Sequence, residues 1–120
     1  MSTSSRRSTG PTRGLAFDPE PSSGPVLIAV HYTVNPERQA DFLEAMGQLR
    51  LSRLRTGGTR WELYRDGERP NQFVEIFSVP SWEEHLRQHA GRLTETDRVV
   101  EEAALSFSDP PAYADHLLPP

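Results

Sequence analysis

Hydrophobic and polar positions alternate in three stretches of the chain and recur at helical spacing in three others. Val26 to Val34 is β-branched and long enough to cross a sheet, which predicts a first strand. Asn35-Pro36 ends it and predicts a helix with Asn35 as N-cap and Pro36 at the first helical position. The apolar line Phe42, Ala45, Met46, Leu49 carries that helix to about Arg55, with Arg53 continuing the line. Gly57-Gly58 stops it.

Arg60 to Arg65 and Gln72 to Val79 read as two strands joined by the turn residues Asp66 to Pro70. Period two puts Phe73, Glu75, Phe77 and Val79 on one face, and Val74 and Ile76 on the other. Both faces are apolar, so both should be covered. Ser81 to Glu84 has the form of a capping box that opens a short helix ending near Gly91. A third helix is predicted from about Thr94, with the stripe Val100, Ala103, Ala104, Phe107. Asp109-Pro110-Pro111 breaks it, and Ala112 to Leu118 is a weakly signalled last strand.

The order β-α-β-β-α-α-β is a split βαβ pattern with an extra helix, an α+β ferredoxin-like arrangement. Helices on one side of a four-stranded sheet leave the other side bare, and a face-to-face homodimer is a standard solution. The expected organisation is a disordered tail over residues 1–25 and one domain over residues 26–120. The tail is rich in Ser, Thr, Arg, Pro and Gly, with Leu15, Ala16 and Phe17 as its only apolar cluster. The alternative is an arm packed on a partner subunit through Phe17.

Composition narrows the functional classes. The chain has 120 residues, room for one core. No apolar run approaches a membrane span, and the N-terminus lacks the apolar region of a secretory signal. These points suggest a soluble, cytoplasmic protein without membrane insertion. The net charge of −4 argues against general nucleic-acid binding. Absence of cysteine removes disulfides and thiolate chemistry. There is no phosphate-cradling loop, nucleophile elbow or dinucleotide fingerprint.

Candidate chemistry centres on histidine. Trp82, His85, Leu86 and His89 share one helical stripe, which a short helix must bury to stay folded. A partly buried imidazole can take a proton from a carbon acid or a phenol. The alternative is a pair of structural histidines. The His85-x3-His89 spacing also suits two metal ligands, with a third from Glu75, His31 or His116, but nothing fixes their distance. Glu75, between two Phe residues, is either a pocket base or the partner of Arg60 or Arg65 on the neighbouring strand.

Trp61, Leu63, Phe73, Phe77, Trp82 and Phe42 would line a pocket for a flat aromatic ligand, or form an ordinary core. Tyr32 and Tyr64 offer hydroxyls to a substrate carbonyl. Arg50, Arg53, Arg55 and Arg60 cluster near the end of the first helix, as an anion clamp or as a solvated face.

Two regions resemble a known family. Val30 to Val34 followed by Asn35-Pro36-Glu37-Arg38 and Phe42-Leu43-Glu44-Ala45-Met46 resembles the opening of antibiotic-biosynthesis-monooxygenase-like domains. The block Arg60 to His89 (RWELYRD, then FVEIFSVPSWEEHLRQH) is similar to the soluble C-terminal domain attached to bacterial major-facilitator exporters, and His116-Leu117-Leu118 resembles that domain's ending.

The resemblance covers about residues 25–118 and implies a dimeric α+β barrel with a pocket between sheet and helices. The enzymatic relatives oxidise or rearrange small aromatic and polyketide-like molecules, often without metal or organic cofactor; none is expected here. With no transmembrane part in the sequence, a free-standing version of the domain is expected. The enzyme reading is a cofactor-independent oxygenase or cyclase of secondary metabolism, with His85 as base and Glu75 or His89 orienting it. The other reading is a non-catalytic ligand-binding or dimerisation module related to the exporter-attached domains.

Overall fold

A computed structural model describes residues 14–88 and 94–120. Strand β1 spans Val26–Thr33, and a single 3-10 turn, Pro36–Arg38, leads into helix α1, Gln39–Arg55. Strands β2 (Arg60–Arg65) and β3 (Gln72–Val79) follow, then helices α2 (Trp82–Arg87) and α3 (Glu95–Leu105), and strand β4 (Tyr113–Leu117). The four strands form one sheet in the order β2-β3-β1-β4, with every neighbouring pair antiparallel. This is the expected α+β ferredoxin-like topology.

Register decides which side chains meet. Val26 pairs with Val79, Ile28 with Phe77, Val30 with Glu75 and Tyr32 with Phe73. These residues point together at the helices, where Phe42, Met46 and Leu49 of α1 close the core. The core aromatics touch at an angle: the Phe42 ring lies 5.2 Å from both Tyr32 and Phe73. On the opposite face Leu27, His31, Val74, Ile76 and Tyr64 remain part-exposed or exposed. There His31 stacks on Tyr113 with centroids 4.6 Å apart, and its Nε2 lies 3.0 Å from Asp115 Oδ2.

Several local expectations are modified. Asn35 makes no side-chain cap; the 3-10 turn takes up the chain reversal and Arg38 precedes the α-helix proper. Ser81 Oγ does cap α2, accepting from the Glu84 N–H at 3.1 Å. Leu86, expected inside, is 50% exposed, because α2 turns only Trp82 and His85 toward the sheet. Residues 21–24, within the expected tail, dock on the start of α2: the Pro21 and Ser23 carbonyls accept from Glu83 and Trp82 N–H. The expected helix end at Gly91 and residues 1–13 of the tail lie outside the described residues.

Helix α3 is pinned by Asp97, 1% exposed. Thr94 and Asp97 form a capping box, and Ser52 of α1 donates its hydroxyl to Asp97 at 2.8 Å. Arg55 adds an ion pair. Burial by itself would raise the Asp97 carboxyl; the Thr94 N–H, the Ser52 and Thr94 hydroxyls and the Arg55 charge outweigh it and hold the group below the ordinary carboxylate range. A depressed folded value means that this stabilisation is complete above about pH 4, the unfolded carboxylate's range, and is lost as pH falls through the lower folded value. Asp97→Asn should therefore lower Tm at neutral pH and flatten the acid limb of Tm plotted against pH, measured by circular dichroism.

Candidate functional site

Two polar clusters lie on the helix side of the sheet. The first centres on Glu75 in the middle of β3, with 0% exposure. Its carboxylate accepts from Tyr32 Oη at 2.8 Å, Arg53 Nε at 2.9 Å and Trp61 Nε1 at 2.9 Å, with Arg53 Nη2 at 3.3 Å. Arg53 Nη1 also reaches Glu101 of α3 at 2.8 Å, and the guanidinium lies 4.3 Å above the centre of the Phe77 ring. Sequence dictates this convergence: Tyr32 is opposite Phe73 on β1, Trp61 is opposite Phe77 on β2, and Arg53 extends the buried stripe of α1 by one turn.

The electrostatics fix the protonation roles. Burial, followed by the negative charge of Glu75, pushes the Tyr32 phenol well above its ordinary range, so it stays a donor. Burial alone would favour neutral Arg53, but Glu75 overrides it and keeps the guanidinium charged. A carboxylate with this many donors is an ion-pair partner rather than an open base. Of the alternatives for Glu75 the pairing reading matches, but the partner is Arg53. Arg60 points to the other face and binds Glu62 at 2.7 Å, while Arg65 lies beside Phe73 near the turn, 5.3 Å from its ring centre. Arg53 is correspondingly half-buried, its side chain 13% exposed, and not part of a solvated face.

The second cluster contains His85, 4% exposed. Its ring lies 5.1 Å from Trp82 and 5.0 Å from His116 of β4, and Trp82 lies 6.0 Å from His116. His116 pairs with Ile28 across β1–β4, which turns its ring toward the helices. A groove of about 320 Å³ runs along β4, between it and residues 14–17. Leu15, Phe17, Ala114, Leu118 and His116 are among its walls. His116 thus connects the groove to His85.

Phe42, Phe73 and Phe77 are core residues, with Trp61, Leu63 and Trp82 packed against them. His85 and Glu75 fall in separate clusters, so the structure does not bring them together as a dyad. Tyr64 is 52% exposed on the opposite face, with Arg60; neither joins the other candidate lining residues. His89 lies outside the described residues. His31, one of the suggested third metal ligands, is also on the opposite face. Among the described residues no three or more His, Asp or Glu side chains are grouped to hold a metal ion. The residues that sequence reasoning undervalued are Arg53, legible in the α1 stripe, and His116, for which only the weak last-strand signal was available.

Solved structures share this architecture. An antibiotic-biosynthesis-monooxygenase-like protein from Caulobacter crescentus superposes with a TM-score of 0.67 at 13% identity, covering 80% of this chain and 90% of its own. One from Nitrosomonas europaea gives 0.67 at 14%, covering 88% and 95%. A variant of SnoaB, a cofactor-independent oxygenase from Streptomyces nogalater, gives 0.61 at 20%, covering 79% and 90%. The fold is therefore that of the antibiotic-biosynthesis-monooxygenase-like proteins.

Sequence assigns the family: residues 2–116 match the transmembrane secretion effectors, and the chain belongs to that family. No curated protein matches the chain in sequence. Among the described residues no helix is long and apolar enough to cross a membrane.

The Glu75 cluster yields a stability prediction. Removing Arg53 leaves a buried carboxylate without its counter-charge, so Arg53→Leu should cost about 3–5 kcal/mol in urea unfolding. The double variant Arg53→Leu, Glu75→Leu should recover a substantial part of that loss.

Proposed function

We propose that the chain handles a small aromatic or polyketide-like molecule at the β4 groove, as a cofactor-independent oxygenase or cyclase with the His85–His116 pair as its acid–base group. The observation that carries this reading is the position of His116, in the groove wall and in ring contact with His85 and Trp82. His116 meets the ligand; His85 stands behind it, shielded from water. An imidazole there accepts a proton from an acidic methylene or a phenol, and the anion so formed supplies electrons to O2. For a methylene, one oxygen atom becomes the product carbonyl and the other leaves as water. The fold likeness to SnoaB supports this class of reaction.

A second reading rests on the family match to secretion effectors: the groove captures the molecule without converting it. Both readings place the working unit as a homodimer in the cytoplasm, with the uncovered sheet faces packed together. Leu27, Val74, Ile76 and Leu117 give that face its apolar character.

Oxygen uptake with polycyclic phenols and acidic methylene ketones tests the enzyme reading. Turnover by the wild type, lowered about 100-fold or more in His116→Ala and His85→Ala, is the expected result. Equal turnover by both variants would remove the pair from the mechanism. Stoichiometric capture in native mass spectrometry without oxygen uptake favours the second reading, and neither capture nor turnover rejects both. The dimer is tested by light scattering: the wild type should run at twice 13.5 kDa, and Ile76→Arg should shift it to the single-chain mass.

A further inference from the structure

Helix α2 has six residues, too few to offset the cost of nucleating a helix, so contacts from outside must hold it. The first N–H groups of a helix have no partner within it. In α2, Trp82 N–H donates to the Ser23 carbonyl at 2.7 Å and Glu83 N–H to the Pro21 carbonyl at 2.9 Å. Only Glu84 N–H is capped from within the neighbouring sequence, by Ser81. The segment before β1 thus supplies two of these three acceptors.

Its fit depends on Gly24. A Cβ there would stand 2.0 Å from the Pro80 carbonyl oxygen and 2.8 Å from Ser81 Cα. Those are backbone atoms, which cannot rotate aside, so only glycine lets the segment lie against the start of α2. Upstream, Gly14 to Phe17 form one wall of the β4 groove. Leu15 and Phe17 are 39% and 60% exposed there. One continuous stretch therefore caps the helix that carries Trp82 and His85 and borders the groove that His116 enters.

We infer that residues 14–24 are a strap belonging to the ligand site: Pro21 to Gly24 position Trp82 and His85, and Leu15 and Phe17 close the groove over a planar apolar ligand. The closing role rests on the groove being the ligand site; the positioning role does not. Leu15, Phe17 and Leu118 offer apolar walls to such a ligand, and His116 offers a polar contact at one side. A planar ring filling the groove would cover apolar side chains that water now contacts.

The positioning role is tested on the full chain without ligand. In Gly24→Ala the imidazole signals of His85 and His116, displaced by the Trp82 ring, should move toward values of unstructured histidine in NMR spectra. The ring signals of Tyr32, Phe42 and Phe73 should stay in place. Unchanged imidazole signals would overturn the positioning role. Amide exchange in the unaltered chain needs no variant: slow exchange at Trp82 and Glu83 supports the strap, and free exchange at both contradicts it. The closing role is tested with 1-anilinonaphthalene-8-sulfonate as the probe. Leu15→Asp with Phe17→Asp should weaken its binding by about tenfold or more, in line with loss of apolar contact area. Equal affinity, or no binding to the wild type, would overturn the closing role while leaving the imidazole result to stand by itself.

Discussion

The buried charge of Glu75 is the constraint around which the domain is arranged. An isolated carboxylate inside a protein costs several kcal/mol in lost hydration, and its attraction to a partner offsets this only with good geometry and satisfied lone pairs. Here the donors come from three different elements: Tyr32 from β1, Trp61 from β2 and Arg53 from α1. Arg53 then extends the chain of charges to Glu101 on α3. A shift of α1 by one residue would strand a charge, and a shift of β1 or β2 would take a neutral donor away from it. Apolar packing tolerates small slips; this network does not, so it restricts the register of α1 against the sheet more sharply than Phe42 or Leu49 can.

That constraint separates structure from chemistry. Glu75, between aromatics, read as either a pocket base or an ion-pair partner; its lone pairs are committed to donors and its charge to Arg53. Proton transfer at the Glu75 carboxylate would neutralise the partner that holds Arg53 inside. The imidazoles of His85 and His116 lie in a separate cluster, in ring contact with each other and with Trp82. His85 and His116 are brought together by one short helix and one edge strand, the two least self-sufficient elements of the fold.

Most of the fold was legible because its signals are local. Period two in residues 60–65 and 72–79 gave strand limits that the structure reproduces, and the stripe from Phe42 to Leu49 gave the buried face of α1. Period two also separates Arg60 and Tyr64 from Trp61 and Leu63, so their absence from the helix side follows from parity alone. Arg53 lay in the buried stripe, but charged residues are so often solvated that its position carried less weight than its type. The role of His116 was hidden for a different reason. It depends on β4 pairing with β1 across more than 80 positions of sequence, with Ile28 opposite His116. Nothing within Ala112 to Leu118 specifies that register. Residues 14–24 were read from composition, which reports how little apolar area they can bury. It does not show that their backbone carbonyls are needed elsewhere.

The same distinction explains how a short helix can sit in a demanding place. Backbone acceptors are available from any sequence, so a segment poor in apolar residues can still cap a helix if it passes close enough. Closeness is the difficult condition, and Gly24 meets it by having no side chain to meet Pro80. The cost is conformational: glycine loses more freedom on ordering than other residues, and the hydrogen bonds from Trp82 and Glu83 to the docked segment help to offset that loss. The domain therefore combines a sheet and long helix tied together by a buried charge with a histidine cluster whose short helix is held in part by backbone acceptors from Pro21 and Ser23.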